Sequence, residues 1–196
     1  MIACAEAAMP FVVAPAALPV PQSHVRCAPG QTVSHPRPGD IILVRRFGWL
    51  QRFLASAQLR ARGEKNPAFS HWSHAALVVS WHGHLVEVRH DGVVLTAIEN
   101  YRDLDYHYVR IELPDADRAE VARYAVSCLR RTHGRWSFAL AALAKLGGAR
   151  SRVAKRSRQE CAALVVRALR RAGVTFEHGP ADMSVADLAR RFGVCP

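Results

Sequence analysis

Apolar residues change their spacing along the chain, and the change separates a strand-rich first half from a helical second half. "GDIILVR" (39–45) is a β-branched run after a Gly-Asp turn, the pattern of a buried strand. "FGWLQRFLASAQLRAR" places Phe47, Leu50, Phe53, Leu54 and Ala57 at helical spacing and stops at Gly63, which predicts an amphipathic helix. "SHWSHAALVVSWHGHLVEVRHDGVVLTAI" (70–98) holds three β-rich runs separated by "WHG" and "HDG", and so reads as a three-stranded antiparallel meander. "YHYVRIEL" (106–113) alternates as a further strand. "DADRAEVARYAVSCLRR" (115–131) opens acidic, closes basic and aligns Val121, Tyr124, Ala125, Cys128 and Leu129, so it predicts a helix. Helices are also expected over 135–146, from about Gln159 through the cysteine stretch "CAALVV", and over "SVADLARRF" (184–192), with Ser184 as N-cap and Asp187 at the third position. The Gly- and Arg-rich "GGARSRVAKRSR" between them reads as a loop. A sheet followed by helices indicates an α+β domain.

Length and composition narrow this picture. With 196 residues, half of them apolar, the chain can close one core. Pro10, Pro15, Pro19, Pro21, Pro29 and Pro36 crowd the start, so residues 1–37 are expected to be an extended Pro/Ala-rich arm and residues 38–196 the folded domain. The net charge of +11 favours polyanionic partners such as anionic membrane or cell-wall polymer. Charge is the only feature pointing to nucleic acid, and no binding motif supports specific recognition of it. The apolar first twenty residues lack a basic leading segment and carry Glu6 and prolines, a poor match to a signal peptide, and no uninterrupted apolar run is long enough for a membrane span. The expectation is a protein that is cytoplasmic or exported by a route without a recognisable signal.

Five cysteines at 4, 27, 128, 161 and 195 have no CxxC spacing, so neither a disulfide framework nor a thiolate metal site is expected. Two constellations could carry chemistry. His74 stands at the mouth of a strand, and Glu87 interrupts an apolar run on the next one. If the turn between them has a two-residue loop at Trp81 and His82, Glu87 pairs with Ala76 and becomes the diagonal neighbour of His74 on the same face; a three-residue loop would put it on the other face. Each also has a plain structural reading, as a half-buried histidine and as the solvent side of a one-sided sheet. Cys161 lies on the apolar stripe Cys161, Leu164, Val165, Ala168, Leu169 and Ala172, which fits a core cysteine. It is also expected in the first helical turn, after Arg150, Arg152, Lys155, Arg156 and Arg158, where free N–H groups and the helix dipole would favour a thiolate and the Cys161 N–H could serve as an oxyanion donor.

Together, "GDIILVR", "SHAALVVSWHGHLVEV", "CAALVVRALRRAG" and "SVADLAR", over residues 38–192 and with the histidine before the cysteine, resemble the circularly permuted branch of the NlpC/P60 papain-like superfamily, the YiiX/YaeF-type permuted amidases. The resemblance implies a permuted papain-like fold and a thiol hydrolase of amide or ester bonds with Cys161 as nucleophile, His74 as base and Glu87 orienting the base. It implies no cofactor and no metal. Trp72, Trp81 and Trp136 are candidates to line an acyl or peptide pocket, each also suited to a core. One departure stands out: family members commonly follow the cysteine with Ser-Glu, whereas this chain has Ala162 and Ala163. The readings that follow are a cysteine amidase or peptidase on cell-envelope peptide or lipid-linked material, a thiol acyltransferase or phospholipase on lipid esters, and a non-catalytic polyanion-binding module on the same scaffold. An exported enzyme of the first kind could be paired with an inhibitor protein.

Overall fold

The computed structural model describes residues 22–45, 71–89, 92–129 and 150–195, with backbone alone over 150–159. The helices expected over 47–63 and 135–146 lie outside the described residues. Six antiparallel strands form one sheet: β1 (Gln22–Cys27), β2 (Ile41–Arg45), β3 (His74–Val78), β4 (His84–Arg89), β5 (Gly92–Ala97) and β6 (Asp105–Ile111), in the order β1-β6-β2-β3-β4-β5. A short 3₁₀ helix (Ile98–Tyr101) follows β5, and α1 (Asp115–Ser127), α2 (Arg150–Arg171) and α3 (Val185–Arg191) complete the described elements. The domain is α+β.

The four central strands, β6, β2, β3 and β4, are buried on both faces, and of the edge strands β1 is largely and β5 partly exposed. Ile41, Leu43, Ala75, Leu77, Val86, Val88, Val109 and Ile111 face a core shared with the helices. Ile42, Val44, Ala76, Val78, Leu85, Tyr106 and Tyr108 face a second core, closed by Cys27, Ile98 and Tyr101. Strands covered on both sides need not alternate with polar residues, which explains "IILVR" and "HAALV".

Two expectations fail. The arm does not extend to residue 37, because β1 pairs along its whole length with β6, from Gln22↔Ile111 to Cys27↔Tyr106. Proline density averaged over 37 residues concealed a proline-free window at 22–28 whose N–H groups are all available to a ladder. Arg26 fixes the register with a two-point bond to Asp105, Nε to Oδ1 at 3.0 Å and Nη2 to Oδ2 at 2.9 Å. The second failure is the loop before Cys161, which is helix from Arg150 onward. Between residues 150 and 160 there is neither glycine nor proline, and Arg, Ala, Lys, Gln and Glu all propagate a helix well.

The remaining elements follow their sequence signals. Ser184 and Asp187 cap α3 reciprocally. Gly173, at φ 73°, ends α2 as its amide turns back to the Arg170 carbonyl.

A buried ion pair joins the sheet to α1. Asp40 is fully buried and accepts from Arg118 Nη1 (3.1 Å), the Ile111 amide (3.0 Å) and the Tyr108 hydroxyl (2.7 Å). Arg118 also donates to the carbonyls of Leu113, Pro38 and Ile111. Removing one partner strands the other in the core, so Asp40→Ala is expected to destabilise by about 3–5 kcal/mol. A melting temperature unchanged from wild type in a calorimetric scan would refute this.

Candidate active site

The β3–β4 hairpin positions the histidine and the glutamate. The Gly83 amide donates to the Ser80 carbonyl across a two-residue loop of Trp81 and His82. Gly83 has φ 78°, and a Cβ there would lie 2.7 Å from Ile98 Cγ2, so the turn excludes other residues on both counts. The register that results pairs Ala76 with Glu87 and brings Glu87 onto the face of His74. The His74 Nε2 to Glu87 Oε2 distance is 2.5 Å.

Glu87 is fully buried and each of its oxygens takes two donors. Oε2 accepts from His74 and from the Tyr101 hydroxyl. Oε1 accepts from Thr96 Oγ1 at 2.7 Å and from Arg89 Nε at 3.1 Å, and Arg89 Nη2 completes the ion pair 2.9 Å from the same oxygen. Burial would raise the pKa of this carboxyl, but the hydrogen bonds from His74, Tyr101 and Thr96 prevail and hold it down to about 2. The residue is therefore an ionised carboxylate in the core. Burial and the neighbouring carboxylate push the Tyr101 phenol well up, so it stays a donor. Its ring lies nearly parallel to the His74 ring, at 11° with centroids 6.2 Å apart.

With Nε2–H directed at Glu87, His74 presents the Nδ1 lone pair to Cys161, whose sulfur is 3.3 Å away. The sulfur occupies a gap in the sheet. The Val79 amide donates to the His84 carbonyl, which marks alternate β3–β4 pairs as hydrogen-bonded, and the same alternation would next join Ala75 to Val88. The ladder instead stops at Ala76↔Glu87. Cys161 Sγ is 3.3 Å from the Val88 carbonyl and receives the Ala75 amide, so the thiol stands between the two backbone groups that would otherwise meet. Side-chain parity sends His74 and Glu87 to the face away from α2, and the opened ladder lets sulfur from α2 reach the imidazole through it.

Cys161 is not at a helix start. It is the twelfth of 22 residues in α2, where its amide is committed to the carbonyl four residues earlier and the dipole of the first turn has faded. Neither dipole activation nor an oxyanion bond from its own N–H is available in this arrangement. Burial pushes the thiol up to about 12, with Glu87 and Glu160 acting in the same sense against the Ala75 amide. The side chains of the five basic residues upstream lie outside the described residues. The resting sulfur is thus a protonated thiol whose proton has two acceptors in reach, the Val88 carbonyl and His74 Nδ1.

The tryptophans part company. Trp72 is buried, its Nε1 donating to the Val194 carbonyl at 3.2 Å and its ring edge-on to His107 at 4.8 Å, so it packs the sheet against the C-terminal segment. Trp81 is 57% exposed at the hairpin tip, at the opposite end of β3 from His74. Trp136 lies outside the described residues. Ala162 and Ala163 are both buried in the helix packing.

Three further residues complete the site. Arg89 shares a face with Glu87 two residues on, and Thr96 follows once Arg89↔Gly92 sets the second hairpin, so strand parity could have found both. Tyr101 could not be found this way, because it arrives on a 3₁₀ turn outside the ladder. Among the described residues no group of three His, Cys, Asp or Glu side chains is disposed to hold a metal ion, and no helix is long and apolar enough to cross a membrane. Comparison of the chain with protein-family models, curated proteins and solved structures gave no match.

Proposed function

We propose that the chain is a cysteine hydrolase that cleaves an amide bond through Cys161, His74 and Glu87, on a permuted papain-like scaffold. The observation that carries this reading is a single imidazole bonded at one nitrogen to a buried carboxylate and at the other to a buried thiol, 2.5 Å and 3.3 Å away. A histidine serving only to fill the core would need neither the ionised partner nor the sulfur.

The chemistry is general-base rather than ion-pair. His74 Nδ1 takes the thiol proton as Cys161 sulfur bonds to the substrate carbonyl carbon, and Glu87 offsets the charge on the imidazolium. The imidazolium then returns that proton to the departing amine as the C–N bond breaks, leaving a thioester. Water adds to the thioester, giving one proton to Nδ1; the thiolate leaves and recovers it, and the carboxylic acid is released. No cofactor enters any step. A peptide or lipid-linked envelope substrate fits the net positive charge.

Alkylation tests the nucleophile. Cys195 is exposed and will react first, so the experiment uses a Cys195→Ser background in which the described cysteines 27, 128 and 161 are all buried. Iodoacetamide is expected to inactivate that protein in step with one adduct on Cys161, at a rate that rises with pH. Inactivation without an adduct on Cys161, or an adduct that leaves hydrolysis of a peptide-amide panel intact, removes the assignment. Release of fatty acid from anionic liposomes with no amide cleavage would transfer the same dyad to lipid esters.

A further inference from the structure

We propose that Tyr101 is a positioning residue for His74: its hydroxyl shares with the imidazole one oxygen of Glu87 and so tempers the charge that the carboxylate presents to the ring. The proposal deepens the reading of Cys161 and His74 as a catalytic pair and rests on it for its meaning in turnover, but its geometry is independent of any substrate.

A carboxylate beside an imidazole does two things at once. It orients the ring through one hydrogen bond, and it stabilises the protonated ring through its charge. For a nucleophile that rests as a thiolate the second effect is welcome. Here the thiol is buried at 1% exposure and its proton stays on sulfur, so an imidazole already protonated would have no lone pair to accept it. The site therefore needs orientation without full charge.

The arrangement around Glu87 meets that need. His74 Nε2–H and the Tyr101 hydroxyl converge on Oε2, while Thr96 and Arg89 occupy Oε1. Every donor to the carboxylate other than His74 draws negative charge away from the imidazole, and the hydroxyl does so at the oxygen the imidazole uses. The flat face of Tyr101 along His74 sets the ring plane as well. The charged or titratable groups around the ring are Glu87 and Arg89 on β4, Tyr101 on the 3₁₀ helix, and Cys161 on α2 with Glu160 beside it. Tyr101→Phe removes the hydroxyl from Oε2 and keeps the ring, leaving Glu87, Arg89 and Cys161 as they are.

The test is a histidine NMR titration of the full chain, with the His74 resonance identified by its absence in His74→Gln. Tyr101→Phe is expected to move the midpoint of His74 protonation upward by about 0.5–1 pH unit, and the acid limb of Cys161 alkylation in the Cys195→Ser background should move with it. Arg89→Gln, which relieves the other oxygen, should shift the midpoint in the same direction and provides a second variant if Tyr101→Phe folds poorly. A midpoint unchanged or lowered in the folded variants overturns the proposal, because a tyrosine that merely fills space would slow alkylation equally at every pH. Failure of the hydrolase reading looks different: the midpoint would still rise, with no activity attached to Cys161.

Discussion

Cys161→Ala is expected to abolish hydrolysis, by about 10³-fold or more, while leaving the fold in place. The reasoning has two parts. Catalysis that forms a thioester has no substitute for sulfur, and the residues that follow the cysteine, Ala162 and Ala163, carry no hydroxyl that could replace it. Stability should change little, because the substitution removes one atom from the α2 stripe and leaves the Val88 carbonyl and Ala75 amide free to relax toward the ladder bond that the sulfur interrupts. There is also a pH signature. A thiol raised from about 9 to about 12 on folding favours the native state while it is neutral, so its stabilisation is complete below pH 9 and is lost as pH rises from 9 toward 12. Cys161→Ala should thus melt with less alkaline sensitivity than wild type. Activity within tenfold of wild type in the alanine variant would end the nucleophile assignment, and an identical alkaline loss in both proteins would show that the thiol is not held protonated by burial.

How much of this site could be read beforehand follows from what period and parity encode. Glu87 beside His74 was legible, because a two-residue hairpin loop fixes the face of every residue after it, and the observed pairing of Ala76 with Glu87 is that register. The last helix was legible from Ser184 and Asp187, which are local signals. The start of the cysteine helix is hidden, because a run dense in glycine and arginine has the composition of a loop although both glycines precede Arg150 and nothing after them breaks a helix. The eleven helical residues before Cys161 are what remove activation by a helix start. β1 is not legible locally, because its partner, β6, is some 80 residues away and local composition carries no record of an open sheet edge. Tyr101 and the gap in the β3–β4 ladder are products of tertiary packing, where one side chain from α2 displaces a backbone bond.

Glu87 should carry as much of the stability as Asp40, and at the site itself. Glu87→Ala leaves the His74 N–H, the Tyr101 and Thr96 hydroxyls and the Arg89 guanidinium facing a space with no acceptor, and the loss of one side of a buried charge pair costs about 3–5 kcal/mol. For a domain of this size that lowers the melting temperature by about 10 °C. Glu87→Gln is the sharper probe, because it keeps the shape and one acceptor oxygen while removing the titration. The wild-type carboxyl is depressed from 4.5 to about 2 on folding, so the stability it supplies is complete above pH 4.5 and drains away as pH falls from 4.5 toward 2. The glutamine variant has no such loss to suffer from this site. Wild type should therefore be clearly the more stable protein at pH 7, and the gap should narrow at pH 3, where part of the native advantage of the carboxylate has gone. Melting curves at pH 7, 4 and 3 decide the matter: a gap that stays constant across them would mean that residue 87 is not held ionised in the core, and His74 would then lack the charged partner that makes it a base in the proposed mechanism.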